Sequence, residues 1–199
     1  MKVAFGVKAH SGWAALVVLG TVSGEHQVVA RRRMELVEKE SEWAKQPYHA
    51  AEPLKPGEAR DLVRRGVEMA RRVAVREMRA AVEGTRKSGH EAAACAVLMA
   101  EPMPEWSVDE ILAVHFRMHK AEGMLFRDAL ATAATASGLR LVEIPEKQLE
   151  EQAERVLATP LATLRKRLAS LGKSVGPPWG KDQKDASLAA MIALRGETR

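Results

Sequence analysis

Two short apolar runs near the N-terminus constrain the fold more than any other part of the sequence. Residues 3–7 and 13–20 are rich in Val, Phe, Trp and Leu, a composition typical of β-strands. The segment 8–12 between them is too short for a crossover helix, so the two strands are predicted to pair as an antiparallel hairpin. Because both runs are almost wholly apolar, we expect a central hairpin that is covered on both faces. Periodicity alone also fits a buried helix over this stretch.

Strands and helices alternate through the rest of the chain, which predicts an α/β fold with a mixed sheet. The third strand follows a turn and is antiparallel, whereas the fourth and fifth follow helical crossovers and are therefore predicted to be parallel. We expect one domain spanning residues 1–199, with a surface loop at 38–57 that includes a helical turn near 41–45, and a Gly/Pro-rich loop at 172–180. The predicted strands after the hairpin are 26–37, 92–100 and 139–144, and the predicted helices are 58–87, 107–137, 146–171 with a break near Pro160, and 181–194.

The overall composition narrows the class of protein and its setting. The formal net charge is +5, which is compatible with a polyanionic partner such as DNA or RNA. Cys95 is the only cysteine, so an intrachain disulfide and a cysteine-based zinc site are both excluded. The sequence has neither an apolar run of membrane-spanning length nor a signal-peptide pattern. These features predict a cytoplasmic protein with no membrane association.

Four basic or aromatic side chains are candidates for contact with nucleic acid. Arg31 and Arg33 lie in the third strand, where consecutive arginines indicate either an edge strand protected by charge or a phosphate-contacting strip. His10 in the hairpin turn suits acid/base chemistry, although nothing in the sequence orients it. Trp179 lies in the Gly/Pro-rich loop, where it either anchors the loop or stacks on a base.

The helix predicted at 107–137 contains the pattern His115-x-x-x-His119-x-x-Glu122, which would align three metal ligands on one face. No fourth ligand is evident and His119 falls on the apolar stripe, so packing is favoured over a metal site. Gly123 on that stripe is expected to let the helix approach the sheet closely. The predicted stripe consists of Leu112, Phe116, His119, Gly123, Phe126 and Leu130.

Acidic residues stand at the ends of two predicted elements. Glu101 follows the fourth strand, at the sheet edge where open α/β sheets bind ligands. Asp182 and Asp185 lie three residues apart in the first turn of the last helix, and Asp185 shares a face with apolar residues that pack on the sheet. Capping of the helix N-terminus also explains both aspartates.

Three segments carry a resemblance to a known family. They are FGVKAHSG at 5–12, the helix and strand over 120–144, and DQKDASLA at 182–189. Together with the order of elements, they resemble the RuvC-type branch of Holliday-junction resolvases within the RNase H-like superfamily. The resemblance implies an RNase H-like fold with a five-stranded mixed sheet and helices on both faces. It also implies four carboxylates that hold Mg²⁺ or Mn²⁺ for phosphodiester cleavage, since hard cations bind oxygen ligands.

Carried onto this chain, the resemblance assigns Glu101, Asp182 and Asp185 to three catalytic, metal-binding acids. Lys8 stands where the family has its first-strand acid, and an ammonium group cannot ligate a metal. We therefore expect a degenerate active site in a non-catalytic protein that binds nucleic acid or another protein, with no cofactor. One alternative is an active nuclease or resolvase that cuts structured DNA with Mg²⁺ or Mn²⁺. Another is a homodimeric interaction protein that binds no nucleic acid.

Overall fold

The computed structural model describes residues 1–196 and contains a central five-stranded mixed sheet. The strands are β1 (Lys2–His10), β2 (Trp13–Val22), β3 (Glu25–Glu35), β4 (Glu91–Met99) and β5 (Arg140–Pro145). Their order across the sheet is β3-β2-β1-β4-β5. The pairs β1–β2 and β2–β3 are antiparallel, whereas β1–β4 and β4–β5 are parallel. This arrangement confirms the predicted fold class, the central hairpin and the edge position of the arginine-rich strand.

Helices cover both faces of the sheet. They are α1 (Pro47–Ala51), α2 (Pro56–Lys87), α3 (Val108–Leu112), α4 (His115–Ala136), α5 (Leu149–Leu157), α6 (Leu161–Val175) and α7 (Lys181–Arg195). Helices α2 and α4 cover one face, and α5, α6 and α7 cover the other. None of the helices within residues 1–196 combines the length and the apolar character that crossing a bilayer requires.

The alternation of side chains along β1 divides the interior into two cores. Val3, Phe5 and Val7 belong to the core shared with α2 and α4. Ala4 belongs to the core on the opposite face, which includes residues of α7. Lys8 is in the same alternating set as Ala4, so its side chain projects toward the α7 face.

Gly6 sets how closely α7 approaches β1. A Cβ atom at position 6 would lie 1.8 Å from the carbonyl oxygen of Ala186 and 2.9 Å from the backbone nitrogen of Ala190. Both neighbours are backbone atoms of a helix, which cannot move aside independently of the whole helix. The absence of a side chain at Gly6 therefore permits α7 to lie directly on β1, and it brings the first turn of α7 beside the end of the strand.

Two segments differ from the predictions. The stretch 38–57 contains the helical turn expected near residues 41–45, as a 3₁₀ turn at Glu42–Lys45, but it is not otherwise only a surface loop: it also forms helix α1 and buries Ala44, Tyr48 and Ala51. The helix predicted over 107–137 is two helices, because Val114 has an extended backbone between α3 and α4. The break near Pro160 is confirmed, since Ala158 has a left-handed backbone and Pro160 precedes α6.

The predicted apolar stripe of α4 is wrong over its first turns. Phe116 is 63% exposed, and a Cβ atom at Gly123 would have no neighbour within 4 Å. The buried face of α4 is displaced around the helix axis from the predicted stripe, so the two overlap only in part. Phe126 and Leu130 are buried as predicted. The buried face of α4 begins instead with Met118, Ala121, Glu122 and Leu125.

Candidate functional site

A buried ammonium group forms the centre of the candidate site. The Lys8 side chain is only 7% exposed, and its Nζ lies among carboxylates from two other parts of the chain. The Nζ atom is 2.6 Å from Oδ2 of Asp185, 3.1 Å from Oε1 of Glu146 and 3.4 Å from Oδ1 of Asp182. We call these four residues the Lys8 cluster. Burial of a charge is costly unless partners compensate it, and here three partners do so.

Asp182 and Asp185 reach Lys8 from the start of α7. The side chain of Gln183 accepts a hydrogen bond from the backbone N–H of Gly180, which helps to fix the start of the helix. Asp185 also accepts a hydrogen bond from Lys181, at 2.7 Å. Asp182 lies in the first turn, where negative charge is favourable to the helix dipole. The N-cap residue is Gly180 and neither aspartate caps the helix with its side chain, so the capping interpretation is wrong.

Glu146 supplies the third carboxylate and follows directly after β5. Its Oε2 accepts a hydrogen bond from Arg127 of α4 at 2.8 Å, while its Oε1 faces Lys8. Arg127 is itself held by a hydrogen bond from its Nε to the carbonyl of Leu98, at 3.1 Å. Glu146 was not among the site residues predicted from the sequence. The signal that could have identified it is its position at the carboxyl end of a parallel strand, the same signal that pointed to Glu101.

The pKa values follow from this geometry. Burial lowers the pKa of Lys8, but the hydrogen bonds and charges of Asp185 and Glu146 outweigh it and raise that pKa above its ordinary value. Burial raises the pKa of Glu146, but hydrogen bonds from Arg127 and Lys8 outweigh it and lower that pKa below its ordinary value. Lys8 and Glu146 are therefore both charged at neutral pH.

Glu101 lies outside the Lys8 cluster. Among the described residues, the carboxylates within 4 Å of Lys8 Nζ are those of Glu146, Asp182 and Asp185. Glu101 is 64% exposed and pairs with Lys147 at 2.5 Å. Because β4 ends at Met99, Glu101 lies beyond the carboxyl end of that strand. Glu146 occupies the position in the Lys8 cluster that was expected for Glu101.

His10 is oriented by its neighbours, so the expectation that nothing orients it is wrong. Its ring stacks on Trp13, with centroids 4.2 Å apart and an interplanar angle of 9°. Its Nε2 lies 3.1 Å from Oδ2 of Asp182, within ion-pair distance. Arg33 also contacts Trp13, with its guanidinium carbon 3.9 Å from the ring centroid, and pairs with Glu35 at 2.6 Å.

Arg31 and Trp179 hold the Gly/Pro-rich loop in place. Arg31 donates hydrogen bonds to the carbonyl oxygens of four consecutive residues, 175–178, at 2.5–3.3 Å. The indole N–H of Trp179 donates to the carbonyl of Leu168 at 2.9 Å, and its ring lies against Gly172. These contacts agree with the loop-anchor interpretation of Trp179. They also commit the Arg31 guanidinium to backbone carbonyls.

The local charges balance without a metal ion. Three carboxylates, from Glu146, Asp182 and Asp185, are in contact with three cations, from Lys8, Arg127 and Lys181. A divalent cation needs oxygen ligands facing an open position, and the Lys8 ammonium occupies the point between these oxygens. The residues present therefore do not fit the divalent-metal centre that the resemblance implies.

A cleft of about 630 Å³ adjoins the Lys8 cluster at the carboxyl ends of β4 and β5. The charged residues in its lining are mostly cationic, and Lys147 and Lys181 are each 79% exposed. Four cations against two carboxylates leave the lining with a net charge of +2. The charged lining residues are Glu101, Lys120, Arg127, Glu146, Lys147 and Lys181.

Comparison with known proteins relates this geometry to a fold. No protein-family model matches the chain, and no curated protein sequence matches it. Among solved structures, Thermus thermophilus RuvC has a TM-score of 0.51 and 13% identity, covering 98% of this chain and 95% of that one. T. thermophilus RuvC in complex with a Holliday junction substrate has a TM-score of 0.52 and 12% identity, covering 99% and 95%. The chain therefore has a RuvC-like fold, as the resemblance implied.

Proposed function

We propose that this protein binds branched or structured DNA through a RuvC-like fold without cleaving it. The observation that carries the proposal is the Lys8 ammonium, which lies within 3.4 Å of all three cluster carboxylates. An ammonium group at that position pairs the oxygens that would otherwise ligate metal. In this proposal the site is a structural ion-pair cluster and holds no metal ion that would activate water for phosphodiester hydrolysis.

The cleft supports the choice of a nucleic-acid partner. Its net positive lining adjoins the Lys8 cluster, and cationic clefts attract phosphates over distances comparable with the Debye length. One of the structures with a similar fold is a complex with a Holliday junction substrate. A four-way junction is therefore the first substrate to test.

The test is a binding titration of the protein with a labelled four-way junction, and with a linear duplex of the same sequence, across a salt series. We expect tighter binding to the junction and an affinity that falls linearly on a log–log plot against salt. An affinity independent of salt, or the absence of binding, would instead support the homodimeric interaction protein. Sedimentation of the free protein would then measure the oligomer.

Cleavage is measured on the same junction with Mg²⁺ and Mn²⁺. We expect intact DNA. Metal-dependent cuts that Asp185→Asn abolishes would refute the proposal and establish the nuclease alternative.

A gain-of-binding variant tests the role of the ammonium group directly. Lys8→Asp replaces the central cation by a fourth carboxylate, so we expect Mg²⁺ or Mn²⁺ binding by calorimetry where the wild type gives none. Lys147→Asp is the matched control, because Lys147 pairs only at the exposed surface with Glu101. Tight two-site metal binding by the wild type would contradict the proposal whatever the variants do.

A further inference from the structure

A second cluster of titratable side chains lies away from Lys8. The rings of His115 and His119, one turn apart on α4, meet the ring of His49 on α1. One ring nitrogen from each of the three lies within 4.8 Å of the others. The sequence pattern had offered only His115, His119 and Glu122 and lacked a further ligand. His49 is distant in sequence, and the packing of α1 on α4 supplies it.

Glu122 orients His49 instead of acting as a ligand itself. Its side chain is 5% exposed, and Oε2 lies 2.7 Å from Nδ1 of His49. Its Oε1 accepts a hydrogen bond from the backbone N–H of His49 at 3.2 Å. Metal-binding histidines commonly donate their second ring N–H to such a carboxylate, which fixes the tautomer and the ring orientation. This contact leaves Nε2 of His49 to face the other two rings.

The spacing within the cluster suits a tetrahedral ion. The Nε2 atoms of His115 and His119 are 3.0 Å apart. Two imidazole ligands at Zn–N distances of 2.0–2.1 Å in a tetrahedral site stand about 3.3 Å apart. His115 and His119 are exposed, so small rotations of their side chains are sufficient to bring all three nitrogens to bonding distance of one ion.

We propose that His49, His115 and His119 form a binding site for a single Zn²⁺-class ion, with Glu122 as the positioning carboxylate. Three neutral imidazoles select a borderline first-row divalent cation over Mg²⁺ or Ca²⁺, which prefer oxygen. The exposure of His115 and His119 leaves a fourth coordination position open to solvent. His119 also lines the cationic cleft, so the ion stands at the rim of that cleft. The proposal does not depend on the proposed DNA binding.

The test is calorimetry of ZnCl₂ binding to protein without a polyhistidine tag. We expect one ion per chain in the wild type and loss of that site in the double variant His115→Gln/His119→Gln. His26→Gln is the matched control: His26 lies on edge strand β3, outside the cluster, and this variant is expected to bind as the wild type does. Glu122→Gln is expected to retain the site but to bind Zn²⁺ about 10-fold more weakly. Loss of a carboxylate that orients a histidine ligand typically weakens metal binding by about 10- to 100-fold.

Cobalt gives a readout that structural damage cannot imitate. Co²⁺ bound to three imidazoles and solvent shows the intense visible d–d bands of four-coordinate Co²⁺, and Zn²⁺ displaces them. Absence of stoichiometric Zn²⁺ binding, or equal binding by the double variant, would overturn the site. Unchanged affinity in Glu122→Gln would overturn the role given to that carboxylate.

Discussion

Removal of the Lys8 ammonium group tests the charge cluster as a source of stability. Lys8→Met preserves most of the apolar stem of the side chain and deletes only its charge. The deletion leaves Glu146, Asp182 and Asp185 facing one another with their shared cation gone. Like charges at this separation repel, and each loses a partner within 3.4 Å.

The magnitude follows from the burial of the partners. Removing one member of a buried ion pair typically costs about 3–5 kcal/mol, because an uncompensated charge remains buried. The three carboxylates keep partial access to water, with 31%, 27% and 17% of their side chains exposed. Arg127 and Lys181 also remain beside two of them. We therefore expect Lys8→Met to lower the free energy of unfolding by about 3 kcal/mol, the lower end of this range. For a chain of this size, that loss corresponds to a fall of about 6–12 °C in Tm.

Urea denaturation monitored by circular dichroism measures the loss of stability, and a second titration in Mg²⁺ tests its cause. The bare carboxylates of Lys8→Met are expected to bind Mg²⁺, so saturating metal should restore about 2–3 kcal/mol to the variant through linkage and nothing to the wild type. Lys147→Met is the control, because water screens its exposed pair with Glu101 and the substitution is expected to leave stability almost unchanged. A Lys8→Met protein that is within 1 kcal/mol of the wild type and indifferent to Mg²⁺ would refute the reasoning.

Three further predictions concern other parts of the fold. Gly6→Ala forces a Cβ atom into the backbone of α7 and is expected to lower the free energy of unfolding, measured with urea, by about 3 kcal/mol or more. Gly123→Ala, with open space around its Cβ, should instead stabilise α4 by up to about 1 kcal/mol. Equal effects of the two substitutions would contradict the close approach of α7 to β1. Burial raises the pKa of the Cys95 thiol to about 12, so a colorimetric disulfide reagent should label it only after unfolding, and rapid labelling in buffer would exclude this environment. Because the pKa of Glu146 is lowered in the folded state, its ionised form stabilises the protein at neutral pH and this contribution disappears as the pH falls through that lowered pKa. Denaturation over a pH series should therefore show the difference between wild type and Glu146→Gln shrinking toward acid pH, and a constant difference would contradict the ion-pair role.

Local patterns in the sequence were sufficient to predict the sheet. The hairpin of β1 and β2, the parallel β4 and β5, and the edge position of β3 all followed from apolar runs and the lengths of the connections between them. These signals are strong because a strand that is buried on both faces must be apolar over its whole length, as β1 is from Val3 to Val7.

The details of the sites were less predictable because they depend on where elements end. Glu101 and Glu146 both follow parallel strands, and the sequence offers no reason to prefer one over the other. The structure separates them: Glu146 follows β5 directly and is held by Arg127, whereas Glu101 lies beyond the end of β4. The approach of His49 to His115 and His119 was not predicted for a related reason. His49 lies in a segment predicted to be a surface loop, and it reaches α4 only through tertiary packing.

The fold and its charge cluster are physically separable at position 8. The contact of α7 with β1 depends on Gly6, and the two cores consist of apolar residues that do not include Lys8. A carboxylate at position 8 would therefore fit the same backbone, but it would leave four acids against Arg127 and Lys181. That excess of negative charge could be relieved by metal ions or by protonation of a carboxylate, whereas Lys8 offsets it within the chain. Under the proposed function, position 8 decides between an ion-pair cluster and a metal site, which is why substitution of Lys8, and not of the surrounding acids, is the decisive experiment.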